Sequence, residues 1–181
     1  MAYPFRDKAP VRTCTKTYSD YHAYKSILAE DFNHHCGYTH ASDVWFGGKR
    51  TFQIDHIKPR SIYKELETEY SNLVYCCSYV NRAKWDDDSP NYLDPCAVDF
   101  NDHFERDEEG VICAKTDQAR YMVEKMHLNL MRYALTWKLE QLDLRIDQLV
   151  LLADKKPALR PILTDLLLVY RQYVKNLHGT L

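Results

Sequence analysis

Nowhere in the 181-residue chain is there an apolar run near the roughly 18 residues that a membrane crossing requires. Its opening stretch, MAYPFRDKAPVRTCTKTYSD, lacks the apolar centre of a secretory leader. These two absences argue against membrane-spanning and exported classes, and the expectation is a cytoplasmic protein with no membrane partner. Net charge is only −2, so the chain as a whole has no electrostatic pull toward nucleic acid. There is no internal repeat and no low-complexity segment. In a reducing compartment the six cysteines read as free thiols or metal ligands, not as a disulfide framework.

What is present argues for a folded domain. Hydrophobic residues make up 45% and aromatic residues 13%, with 14 tyrosines, which excludes disorder on composition. The length fits one domain with a helical appendage and suffices to bury a core. Three blocks follow one another. In YSDYHAYKSILAEDF, Ser19 and Asp20 are possible caps, and Tyr21, Tyr24, Leu28 and Phe32 recur at helical spacing. Residues 36 to 92 hold shorter apolar runs broken by FGGKR, KPRS and DDDSPN, the pattern of short strands and loops around one helix.

The last block is helical. Leu128, Met131, Leu135, Leu139, Leu142, Ile146 and Leu149 step by three or four, predicting one helix from about Thr116 to Ala153. KKPALRP interrupts it, with Pro157 and Pro161 placed to end one helix and start another, and ILTDLLLVYRQYVKNLHG closes the chain with Gly179 as its stop. Core packing is the plain explanation of both apolar stripes, and a partner interface is the alternative.

Chemistry concentrates in the middle block. TFQIDHI has the alternation and β-formers of a strand that ends at Asp55 and His56. Asn72, 16 residues beyond His56, opens the apolar run NLVYCC, and Asn81, nine residues further, lies in SYVNRAKW, which reads as the start of a short helix. Between Lys49 and Lys84 seven bases stand against four acids, a local charge of +3 in a chain otherwise net −5. Taken singly, each residue has an ordinary explanation: an Asp-His pair is mostly structural, Asn72 suits a turn, and Asn81 suits a helix cap. Phosphodiester hydrolysis, however, needs a base for water and a cation for developing charge. A near-neutral histidine suits the first task, and an Asp/Asn oxygen pair suits a hard ion such as Mg²⁺.

IDHIKPRS, NLVYCC and NRAK together resemble the motif of HNH, or ββα-metal, nucleases. The resemblance implies an α+β fold: an HNH ββα-metal core over 36–95, an N-terminal helical segment over 1–35, and a C-terminal region of long α-helices over 96–181. It makes His56 the general base, Asn72 the residue that holds its ring, and Asp55 and Asn81 the ligands of one divalent ion, Mg²⁺ or Mn²⁺. Lys58, Arg60, Arg82 and Lys84 become candidate nucleic-acid contacts, with DNA the expected substrate. A narrower likeness runs through YLDPCAVDFNDHFERDEEGVI and MVEKMHLNLMRYA, which resemble the HNH subunits of Septu-type and retron-associated anti-phage systems. That likeness implies a partner ATPase of the ABC or SMC-like class. The alternatives are a stand-alone restriction-like or homing-like nuclease or nickase, and a non-catalytic scaffold.

Many HNH proteins hold a structural zinc on two Cys-x-x-Cys pairs, and here the matching places read Cys36-Gly-Tyr-Thr39 and Cys77-Ser-Tyr-Val80. His40 could stand in beside Cys36 and Cys77, with Cys76 or His35 completing the set. A closed zinc site needs all four ligands, so a bound zinc is not the expectation. His34, His35, His103, His127 and His178 read as structural. The three acids of WDDDSP cannot all face one ion and read as a loop after a helix stop.

Overall fold

The computed structural model describes residues 2–179. The chain divides into two compact units, Met1–Leu130 and Met131–Leu181. Segment 96–130, grouped by its sequence with the C-terminal helices, thus lies in the same unit as the middle block.

In the first unit the elements are β1 (Tyr3–Pro4), α1 (Lys25–Asp31), β2 (Phe52–His56), β3 (Leu73–Cys77), α2 (Ser78–Lys84), α3 (Phe100–His103), β4 (Phe104–Arg106), β5 (Ile112–Ala114) and α4 (Asp117–Met126). Strands β2 and β3 pair antiparallel from Phe52 opposite Cys77 to His56 opposite Leu73, and α2 follows β3 without a linker. Every residue of β3 is buried, as its unbroken apolar run demands; in β2 only Gln53 is exposed. A second sheet runs in the order β1-β4-β5.

The N-terminal stripe folds as expected at its apolar positions but not as one helix. A 3-10 turn over Tyr21–Tyr24, capped by the Asp20 carboxylate on the His22 N–H, leads into α1. Tyr24, Leu28 and Phe32 are buried. The long helix expected from about Thr116 is broken. Thr116 caps α4 by accepting from the Ala119 N–H, and α4 ends at His127, which adopts the left-handed conformation with φ of 52°. Leu128 is wholly buried just past that break, so the apolar spacing continues although the helix does not.

In the second unit α5 (Met131–Lys155) and α6 (Arg160–Gly179) pack against each other, joined by a short turn that begins at Pro157. The stripe residues Leu135, Leu139, Leu142 and Ile146 are buried. Among the described residues no helix is long and apolar enough to cross a membrane.

Two features knit the first unit around β2 and β3. Arg106 is fully buried, and its guanidinium donates to the carbonyl oxygens of Phe5 (3.3 Å), Gly110 (2.9 Å) and Thr39 (2.8 Å). It ties the small sheet to the segment preceding β2, each donor meeting an acceptor as burial requires. Gly37 donates its N–H to Tyr75 O at 2.8 Å and lies so close to β3 that a side chain has no room. A Cβ there would fall 2.6 Å from Val74 Cγ1 and 2.7 Å from Phe32 Cε1, both on buried side chains. Gly37→Ala is therefore expected to lose about 1–3 kcal/mol of stability, as overpacked cores do; urea unfolding monitored by circular dichroism measures it.

Candidate active site

The end of β2 and the adjoining α2 form one wall of a cleft of about 920 Å³, which His56, Asp55, Asn81, Arg60 and Arg82 all line. Strand pairing places His56 at the loop end of the hairpin, and α2 crosses β2 so that Asn81 meets Gln53 while Lys84 meets Asp55. That pairing follows from period: residues 53 and 55 share a strand face, and residues 81 and 84 share a helix face.

His56 is nearly buried, at 7% exposure. Its Nε2 lies 2.9 Å from the carbonyl oxygen of Glu67. A carbonyl only accepts, so Nε2 carries the proton and, in the neutral ring, Nδ1 carries the basic lone pair. Burial lowers the histidine below its ordinary value of 6.5, against the opposing pull of the Glu67 carbonyl and the Asp55 charge. The ring is therefore neutral at pH 7, the state a general base needs. Tyr21 packs edge-on against it, with centroids 4.8 Å apart.

Asn72 was expected to hold that ring, and its side chain instead binds backbone. Its Oδ1 accepts from the Lys58 N–H (2.8 Å), and its Nδ2 donates to the carbonyls of Lys58 (3.0 Å) and Leu66 (3.2 Å). The asparagine staples the loop between β2 and β3, and the loop presents the Glu67 carbonyl to His56. Its influence on the ring is thus indirect.

Asp55 is buried at 3% exposure, and its two oxygens receive different donors. Oδ2 accepts from the Tyr38 hydroxyl at 2.7 Å, and Oδ1 faces the Lys84 ammonium at 3.4 Å. Burial raises its pKa above the usual carboxylate value, while Lys84 and Tyr38 hold it down. Asn81 donates its Nδ2 to Gln53 Oε1 at 2.8 Å, which leaves its Oδ1 as the atom a cation would use. Each Asp55 oxygen keeps a lone pair beyond its one hydrogen bond. One carboxylate and one amide oxygen on a common cleft are hard donors that fit an ion such as Mg²⁺, which retains most of its waters. Among the described residues no cluster of three or more His, Cys, Asp or Glu side chains is placed to hold a metal.

The four candidate nucleic-acid contacts separate into two pairs. Arg60 and Arg82 line the cleft. Lys84 does not reach the surface: it is fully buried, donating to the His56 carbonyl at 2.7 Å besides facing Asp55, with its ammonium 4.9 Å from the Tyr92 ring centroid. Lys58 is outside the cleft lining and pairs with Asp88 at 3.3 Å. Lys25, Arg50 and Lys64 join the lining in their place. Arg50 and Lys64 belong to the +3 window, whereas Lys25 comes from α1, and nothing in its local sequence marks it.

Among the described residues the candidate zinc ligands form no group of three that could hold an ion. Cys36, Cys76 and Cys77 are all buried, and the Cys36 and Cys76 thiols lie within hydrogen-bond reach of each other. His40 turns its ring into a stack on His35, with centroids 4.6 Å apart, and toward Phe5.

With this geometry in place, comparison with known proteins gives one match: residues 34–87 fit the family model described as HNH endonuclease. The matched segment contains Asp55, His56, Asn72 and Asn81, while Tyr21 and Lys25 of the cleft lie before it. No curated protein and no solved structure matches the chain. The HNH domain supports a nuclease-type function for the segment.

Removing the Lys84 ammonium strands a buried carboxylate. Lys84→Met should cost about 3–5 kcal/mol at pH 7, the usual result of breaking one side of a buried pair. The loss should shrink in acid, where Asp55 takes up a proton; urea unfolding at pH 7 and pH 4 tests both statements. His40 is held neutral, its pKa lowered from 6.5 to about 3 by burial first and then by the charges of His35, Arg106 and Arg6. Below pH 6.5 the unfolded chain binds a proton there that the folded chain refuses, so this site's stabilising share is lost as pH falls from 6.5 toward 3. His40→Asn, which keeps a residue tolerant of the φ of 53°, should unfold with a flatter pH dependence than wild type over that window.

Proposed function

We propose that the chain is a metal-dependent endonuclease of the HNH type that hydrolyses phosphodiester bonds in DNA. The observation that carries this is a single constellation: a neutral histidine with a defined basic nitrogen, beside a carboxylate and an amide oxygen, in a cleft lined by arginines. The antiparallel strand pair followed directly by a helix supports a ββα-metal reading of this segment.

In this mechanism the arginines at 60 and 82 receive the phosphate. His56 takes a proton from the attacking water at Nδ1. The Glu67 carbonyl, already bonded to Nε2–H, stabilises the imidazolium that forms, as the orienting acceptor does in other base-assisted hydrolyses. Asp55 and Asn81 would hold one Mg²⁺ or Mn²⁺. When bound, that ion supplies Lewis-acid stabilisation of the charge on the departing 3′ oxygen. The product carries a 5′ phosphate.

The finer assignment, an effector subunit of an anti-phage complex with an ABC or SMC-like ATPase, is supported by the order of segments after the motif: Asp94-Pro95, His103-Phe104, the turn at Gly110, and Leu128-Asn129. The modest basic charge accords with weak intrinsic affinity for nucleic acid and hence with a partner that delivers it.

Plasmid cleavage in Mg²⁺ and Mn²⁺, by wild type and His56→Ala, each alone and with any ATPase that co-purifies, tests the proposal. His56→Ala should lower the rate by about 10²–10⁴-fold, the usual contribution of a general base. Wild-type rates from the variant would refute the assignment of His56.

A further inference from the structure

At the end of α2, the helix that also carries Arg82, stands an aromatic residue that the mechanism does not use. Trp85 ends α2 and lines the same cleft as His56 and Asp55, yet it is 73% exposed. A large ring left in water forgoes the gain of burial. Its backbone is also strained, with φ of 54° and ψ of −137°, a region that side-chain-bearing residues rarely enter and glycine enters freely. Such strain persists only where the surroundings impose it.

Here the surroundings do impose it, from both sides. Lys84, immediately before Trp85, is locked under β2 by the His56 carbonyl and Asp55. Asp87, two residues after, accepts hydrogen bonds from the hydroxyls of Tyr92 (2.8 Å) and Tyr121, and donates its own N–H to Lys84 O at 3.3 Å. The Trp85 N–H is fixed to Asn81 O at 3.0 Å. The backbone that bears this exposed indole is thus fixed at the end of the helix that carries the site. The cleft lining also contains Tyr21, with the Arg60 guanidinium 5.2 Å from its ring centroid, and the cations of Lys25, Arg50 and Lys64.

A basic groove combined with a preset aromatic face is the arrangement that binds unpaired nucleic acid, in which cations follow the backbone and a base stacks on the ring. Paired bases in a duplex keep their faces covered by their neighbours. Building on the nuclease reading, we propose that Trp85 is a stacking platform for a base next to the scissile phosphate, so that the cleft selects single-stranded or locally unpaired nucleic acid over intact duplex. Trp85 is a specificity-determining residue in this scheme, and His56 remains the base.

The test is fluorescence anisotropy of a labelled single-stranded oligonucleotide and of its duplex, binding to the full chain carrying His56→Ala so that no cleavage intervenes. Adding Trp85→Ala should weaken single-strand binding about 5- to 100-fold, the range set by loss of one stacked base, and change duplex binding less than about twofold. Trp85→Phe should recover most of the affinity. Trp85→Gly separates a functional from a structural role: it relieves the backbone strain, so it should melt at or above the wild-type temperature while losing single-strand affinity as Trp85→Ala does. Equal losses on both strands, or no loss on either, would overturn the inference. Absence of all binding to either strand would likewise overturn the stacking inference, whereas the nuclease reading is decided separately, by whether cleavage by the chain with native His56 depends on that histidine.

Discussion

The candidate site depends on one buried ammonium. Lys84 Nζ reaches the His56 carbonyl and the Asp55 carboxylate from inside the fold, with no exposed surface of its own. A charge removed from water must be matched by acceptors, and these acceptors are both on the strand end that bears His56. The pairing fixes the helix against the strand. A slip of one helical turn, about 5.4 Å, would strand both charges, so the helix that carries Asn81 has one permitted register relative to Asp55 and His56.

The rest of the first unit follows a related rule, in which tyrosine hydroxyls serve the carboxylates. Tyr38 donates to Asp55, Tyr75 to Asp43, Tyr70 to Asp31, Tyr63 to Asp88, and Tyr92 and Tyr121 to Asp87. Each pair lets a ring contribute apolar area while its hydroxyl satisfies an acid that would otherwise sit poorly inside or at the edge of the fold. This explains why the chain carries so much tyrosine. Arg106 plays the complementary part by donating to three carbonyls, joining elements far apart in sequence.

Much of this was legible before any coordinates. The strand ends at Asp55 and His56, the apolar run after Asn72, and the helix through Asn81 stand where period and composition placed them. Where the reading fell short, the cause was a contact between distant residues. Lys84 looked like a surface base because a buried lysine and an exposed one are spelled alike, and only the depth of Asp55 distinguishes them. Asn72 looked like a partner for the histidine ring, since no local signal announces that an asparagine will bond the backbone of Lys58 and Leu66. The break at His127 was invisible because a left-handed histidine replaced the glycine or asparagine that usually marks a helix end, and Leu128 kept the apolar rhythm.

The staple made by Asn72 gives the protein a place to change. Residues 59–65 lie between the two backbone positions that its side chain grips, and Arg60, Ser61 and Ile62 at their crest face solvent. Lengthening a loop whose ends are already fastened costs little, because closure entropy grows only with the logarithm of length. Arg60 and Lys64 in this loop line the cleft, whereas His56 donates its hydrogen bond to the carbonyl of Glu67, beyond the staple. Insertions at the crest would therefore reshape the cleft lining while leaving His56 where it is, so that under the proposed function this loop is the natural ground for new target preferences to arise without loss of the hydrolytic chemistry.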